Sequence, residues 1–279
     1  MDTQNTRRRI IVFLGLTILF SAIFWVLIIQ AGQLSAGQLY ILGLMWSPGV
    51  AALLTTFIFQ RNLRGLGWGR GPLRYLLLSY ALPIAYAGVV YGLTWLLGWG
   101  AFTTENVPEG QSWPLFVLRN ATVIFLLGGF FPALGEEIGW RGLLVPQLAK
   151  LTSFTNVAFI SGAIWAVWHY PLILFADYHA SAPRWVALLC FSVLVIGISF
   201  AFAWLRLKSG SVWTAAILHA SHNIFTQSIF DQLTRDTGFT TYITTEFGIG
   251  MAVTAVIVAV IFWRRENALV KQTQGAYEY

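Results

Sequence analysis

Charge is scarce in this 279-residue chain, and cysteine is nearly absent. Only 10% of residues are Asp, Glu, Lys or Arg, whereas 57% are hydrophobic. So little charge cannot clothe a water-soluble domain of this length, and a mean hydropathy of +0.68 points instead to a polytopic membrane protein. A single cysteine, Cys190, excludes an intrachain disulfide and a cysteine-rich metal site. Long polar segments are also missing. The longest polar connections, 99–114 and 231–245, are too short for a soluble domain, and no internal repeat or low-complexity segment occurs. Bases outnumber acids, 17 to 11. The bases punctuate apolar runs and do not cluster on a soluble segment, so they read as topology signals and exclude a nucleic-acid partner.

What is present is a series of apolar runs. A membrane-crossing helix needs about 20 mostly apolar residues. Eight stretches qualify: 10–30, 39–59, 75–98, 117–142, 154–175, 185–206, 212–230 and 246–263. The first follows the basic MDTQNTRRRI and is too long for a signal-peptide core, so it reads as an uncleaved span. The fourth is the least regular, with Gly128, Gly129 and Pro132 in its middle; Pro132 suits the first turn of a fresh helical segment. Placing the N-terminus in the cytoplasm puts 14 of the 17 bases on that side and leaves Arg119, Arg184 and Arg235 on the other. That asymmetry predicts both termini cytoplasmic and an even number of spans. The fold expected is all-α, a single transmembrane domain over 1–279 with about eight transmembrane helices. The loop 61–74, RNLRGLGWGRGPLR, is an expected interfacial basic loop, with Trp68 at headgroup level and arginines on lipid phosphate, or else a plain basic inside loop.

Three spans contain side chains that lipid penalises. An ionisable group near the bilayer centre costs about 2.5–3.5 kcal/mol on insertion scales. The fourth span carries Glu136, Glu137 and Arg141 in GEEIGWRG; the fifth carries His169 in IWAVWHYP; the seventh carries His219, His222 and Asn223 in LHASHN. These insertions are accommodated at least cost if they meet in one hydrated pocket, over a motif core of 115–230. Glu137 and Arg141 stand i, i+4 in the favourable order for an ion pair. Glu136 points about 100° away; with Gly139 and Trp140 at i+3 and i+4, it is expected to find its partner on another helix. His219 and Asn223 share a face, with His222 close to it. At 1.5 Å per residue, Asn223, His169 and Glu136 lie about 16, 22 and 20 Å from the basic ends of their helices, which suggests a common level below the cytoplasmic surface.

A carboxylate, imidazoles and an amide suit hydrolysis. Glu136 can take a proton from water with help from His169. Asn223 and His219 can stabilise an oxyanion, with Glu137 and Arg141 in support. Alternatively Glu136, His169 and His219 can ligate zinc, which would activate the water. The bland alternative is that these polar groups merely bridge helices. A proton relay in a transporter is another. Other protease signatures are missing: there is no HExxH, no GxSxG and no intramembrane aspartate pair, because Asp177, Asp231 and Asp236 fall in connections. Ser221 beside His222 is no dyad, since adjacent helical residues diverge.

The three motifs, in this order on successive apolar spans, resemble the CPBP family, the CAAX protease and bacteriocin-processing (Abi) family that includes the Ras-converting CAAX endopeptidase. EEIGWR at 136–141 matches its EExxxR, and HASHN at 219–223 matches its HxxxN. WAVWH at 165–169 departs from its FxxxH, with Trp165 as the aromatic. The resemblance covers about 100 residues and implies an eight-helix membrane endopeptidase acting on a membrane-associated peptide or lipidated protein, with its site opening toward the cytoplasm; in a prokaryote it would reside in the cell membrane. It implies that Glu136 and His169 activate water and that His219 and Asn223 form the oxyanion site. A metal-free and a metal-dependent mechanism both stay open, as does a non-catalytic immunity or scaffold role. His222 lies outside the family pattern.

Overall fold

Lipid offers the backbone no hydrogen-bond partners, so apolar runs of this length must satisfy themselves as helices. The computed structural model describes residues 3–179, 182–267 and 269; Lys271, counted above among the basic-side residues, lies outside them. Helices dominate: α1 (Thr3–Ala31), α2 (Gln38–Gln60), α3 (Leu73–Leu96), α4 (Trp113–Leu148), α5 (Phe154–Phe175) and α6 (Arg184–Ser209). These six are long and apolar enough to cross a membrane. Two shorter helices follow, α7 (Val212–Asn223, continued by π-helical Ile224–Phe230) and α8 (Ile249–Trp263). The protein is an all-α, multi-pass integral membrane protein. Its only strands among the described residues are β1 (Gly100–Phe102) and β2 (Thr234–Asp236), paired antiparallel with Ala101 opposite Arg235.

The irregularity foreseen in the fourth span is real. Helix α4 widens to π-helical turns at Asn120–Phe130 and Ile138–Leu144, flanking an ordinary stretch at Phe131–Glu137 with Pro132 in its first turn. Proline needs no amide partner there. Large apolar side chains such as Ile18, Leu77, Leu127 and Val256 remain exposed around the bundle, as a lipid-facing surface requires.

Connections gather at two ends. The strand end holds the α1–α2, α3–α4, α5–α6 and α7–α8 connections. There the Leu34 N–H donates to Asp177 Oδ1 at 3.0 Å, and the Trp95 indole donates to Thr234 at 2.9 Å. The opposite, basic end holds the start of α1, the loop 61–72 and the α4–α5 and α6–α7 turns. That loop is tied to the bundle: Leu66 is buried, the Val212 N–H donates to the Gly67 carbonyl at 2.8 Å, and the Trp213 indole donates to the Trp68 carbonyl at 2.7 Å. Helix α6 ends at Gly210, whose φ of +71° suits glycine, and Ser211 caps α7.

The crossing of α2 and α4 positions the site. Gly135 and Gly139 form a GxxxG pair whose missing side chains let the two backbones touch. A Cβ on Gly135 would lie 2.9 Å from the Met45 carbonyl, and one on Gly139 would lie 2.8 Å from that of Pro48. Gly49 on α2 returns the fit, since its Cβ would reach 2.5 Å from the Gly135 carbonyl. With both glycines turned to α2, the two glutamates between them must face elsewhere.

Candidate active site

Glu136 and Glu137 leave α4 in different directions, about 100° apart. Glu136, 1% exposed, meets α5: the Trp165 indole N–H donates to its Oε2 at 2.7 Å. The Trp140 indole also donates to that oxygen, at 3.3 Å. The sequence reading had Glu136 without an i+4 partner; it overlooked that an indole ring carries one strong donor. With Oε2 occupied by two N–H groups, Oε1 is the oxygen left to accept from a water.

Glu137 is fully buried and anchors a charged cluster. Its Oε1 accepts from Arg141 Nη1 at 2.9 Å and faces His219 Nδ1 at 3.0 Å. Arg141 Nη2 donates to Ser199 on α6 at 3.2 Å, and its guanidinium carbon lies 4.1 Å from the Trp165 ring and 4.0 Å from that of Phe202. Two aromatic faces and a carboxylate thus compensate a cation that would be prohibitive alone. The i, i+4 clasp expected from the spacing is present, and it extends to His219.

Trp165 links two parts of the site. Its indole binds Glu136, while its backbone carbonyl lies 2.9 Å from His169 Nδ1, one helical turn on. A nitrogen facing a carbonyl must carry the proton, so the lone pair of neutral His169 sits on Nε2. The same logic puts a proton on Nδ1 of His219, which faces Glu137. His219 can therefore donate from Nε2 only as an imidazolium.

All four residues expected to act directly line one cavity of about 210 Å³: Glu136, His169, His219 and Asn223. Trp165 and His222 line it too, whereas Glu137 and Arg141 sit behind it. Much of its wall is apolar, with Leu44, Leu172, Phe191 and Leu194 among the contributors.

A second polar group in this cavity escaped the sequence reading. His222 Nε2 lies 3.0 Å from Glu246 Oε1, Tyr178 donates to Glu246 Oε2 at 2.6 Å, and Tyr86 meets His222 Nδ1. Burial alone would raise the Glu246 carboxyl, but hydrogen bonds and charge from His222, together with Tyr178, bring it below its ordinary value. The Tyr178 ring stacks on His169 with centroids 6.0 Å apart, so the two polar groups touch through it. Glu246 was read as the first residue of the last span. The helix begins at Ile249, and Glu246 instead folds inward from the connection before it. Its only local signal was a lone acid bordering an apolar run.

Among the described residues, no three His, Cys, Asp or Glu side chains are gathered so as to hold a metal ion. On the three residues themselves, Oε2 of Glu136 and Nδ1 of both His169 and His219 are engaged, which leaves Oε1 of Glu136 and Nε2 of each imidazole facing the cavity.

The cavity's rim lies at the strand end. Leu34, Tyr178 and Glu246 line it from the connections there, and its half-exposed lining includes Ile41, Met45, Asn223 and Gln227. No lining residue comes from the loop 61–72 or from the α4–α5 and α6–α7 turns. Glu136, His169 and Asn223 stand about 16–22 Å from the basic ends of their helices. His169 is only about 9 Å from the strand-end terminus of α5, and Asn223 about 10 Å from that of α7.

Residues 118–225 match the family described as type II CAAX prenyl endopeptidase, Rce1-like. Over 155 residues the chain is 30% identical to the protein named CAAX prenyl protease 2 of Methanococcus maripaludis, an alignment covering 53% of this chain and 50% of that relative. The chain thus matches about half the length of its curated relative. The matched residues run from within α4 to within α7 and include every side chain named in the three motifs.

Proposed function

We propose, from the premise that this chain belongs to the CPBP, or CAAX protease, family, that it is an intramembrane endopeptidase cleaving a membrane-associated peptide or lipidated protein by glutamate-activated water. The observation that carries this reading is the convergence of Glu136, His169, His219 and Asn223 on one cavity. In outline, Oε1 of Glu136 and Nε2 of His169 hold a water between them. As the water oxygen bonds to the scissile carbonyl carbon, Glu136 takes its proton. The resulting oxyanion meets the Asn223 amide and Nε2–H of His219 as an imidazolium, a charge supported by Glu137. Collapse breaks the C–N bond, and Glu136 returns its proton to the departing amine. Arg141 offsets the charge of Glu137, so that two adjacent buried carboxylates can coexist. No step needs a metal.

The test is hydrolysis of an apolar fluorogenic peptide by the purified, detergent-solubilised protein. Glu136→Gln is expected to fold normally and to lose at least about 10²-fold in turnover, the scale of general-base catalysis. A folded Glu136→Gln protein with full turnover excludes this base. An inactive parent that still binds the peptide would favour a scaffold.

A further inference from the structure

The chamber opens at one end of the bundle, and the bases sit at the other. The rim is built by Leu34, Tyr178 and Glu246 from connections at the strand end, and its half-exposed flank is formed by Ile41 and Met45 of α2 with Gln227 of α7. The floor, formed by Glu136, Trp165, Ile198 and His219, is buried. At the far end lie the arginines of the first turns of α1, the four of the loop 61–74, and Lys150, Arg206, Lys208, Arg264 and Arg265. Among the described residues, the only lysines or arginines at the strand end are Arg119, Arg184 and Arg235. Positive residues are retained on the cytoplasmic side of a membrane, and short loops, such as all of these, follow that rule best. The loop 61–72, which carries Arg61, Arg64 and Arg70, is fixed to the α6–α7 turn by the Gly67 and Trp68 hydrogen bonds, so its charge cannot be reassigned to the other end.

Taken together, the geometry and the charge asymmetry point to a chamber that receives its substrate from the extracytoplasmic side of the membrane. The substrate is an apolar segment of an exported or membrane-anchored polypeptide, drawn in from the outer leaflet. Its apolar side chains lie along Leu34, Ile41, Leu44, Met45 and Phe191. The scissile bond must descend about 10 Å past the rim to reach His169 and Asn223. The rim holds a carboxylate, Glu246, and no lysine or arginine among the described lining residues, so it favours a neutral or cationic flank over an anionic one. This inference rests on the endopeptidase reading for what happens in the chamber, but the side of access can be measured without it.

The measurement uses the full chain in cell membranes. Cys190 is the only native cysteine, so a Cys190→Ser background is silent to thiol reagents. Single cysteines are then introduced as Gln227→Cys on the rim, Thr237→Cys on the strand end and Arg70→Cys on the basic loop. A membrane-impermeant maleimide applied to intact cells is expected to label Thr237→Cys and Gln227→Cys, and to label Arg70→Cys only in inverted vesicles. Labelling of Gln227→Cys only in inverted vesicles, or from neither side, overturns the inference. So does the reverse pattern for Thr237→Cys and Arg70→Cys. Peptide hydrolysis in detergent has no sidedness, so an inactive protein with the expected labelling would reject the endopeptidase reading and leave the access route standing.

Discussion

The indole N–H of Trp165 donates to Oε2 of Glu136 across 2.7 Å, at the position where the family resembled usually has phenylalanine. An aromatic there keeps the wall; only tryptophan adds a donor. The same ring lies against Arg141 and His219, so its plane is fixed by three neighbours. Phenylalanine in its place would keep the stacking and lose the hydrogen bond.

Trp165→Phe therefore isolates that bond. A hydrogen bond to a charged group contributes about 1.5–3 kcal/mol, and 1.4 kcal/mol is about tenfold in rate. Trp140 still donates to the same oxygen, so turnover is expected to fall by about three- to tenfold, with KM little changed. Steady-state kinetics on the fluorogenic peptide checks this; an unchanged turnover would show that Trp140 alone holds the carboxylate.

Glu137 and Arg141 should behave as one unit. Removing one partner of a buried pair typically costs about 3–5 kcal/mol, because the other charge is stranded. Glu137→Gln and Arg141→Gln are each expected to lower the melting temperature markedly. The double variant should lose much less than the sum. Additive losses in thermal melts would mean that the pair is not coupled.

Two acids outside the spans should respond to pH in opposite senses. Burial, opposed by the Tyr91 hydrogen bond and aided by the charge of Glu246, raises Asp231 from 3.8 to about 7. Between those values the folded state binds more protons than the unfolded one, so this contribution to stability is greatest at low pH and is lost as pH rises toward 7. Glu246 is held below its ordinary 4.5, so its contribution is present at neutral pH and lost as pH falls below that value. Melting temperatures of Asp231→Asn should therefore gain on the parent's from pH 4 to pH 7, whereas Glu246→Gln should blunt the parent's loss on acidification. Parallel melting curves for parent and variants would contradict both.

Chelation should leave turnover unaltered. No three-ligand cluster of His, Cys, Asp or Glu occurs among the described residues, and no step of the proposed mechanism calls on a metal. Full activity is expected after dialysis against EDTA. A loss restored by zinc would return the metal mechanism to first place.

Much of this was legible before any coordinates. The apolar runs marked the helices because lipid admits few alternatives, and the cost of buried charge identified the three helices that had to meet. The Glu137–Arg141 clasp followed from spacing alone. What stayed hidden was whatever depends on a distant part of the chain. Nothing local announces that Glu246 turns inward, since its partners Tyr178 and His222 come from other helices and connections. The π-helical turns of α4 shift side chains off the 100° progression used to place them. Trp140 was passed over because a ring that reads as apolar filling also carries a hydrogen.

The contact of Gly49 with Gly135, and of Pro48 with Gly139, leaves no rotatable group between two main chains. Helices α2 and α4 are therefore locked in register, and the place of Glu136 relative to α2 does not depend on side-chain rotamers. Glu136 thus stands on a rigid pair of helices, whereas the facing wall, formed by the ends of α5 and α7, is joined by side chains, through Tyr178, Glu246 and His222.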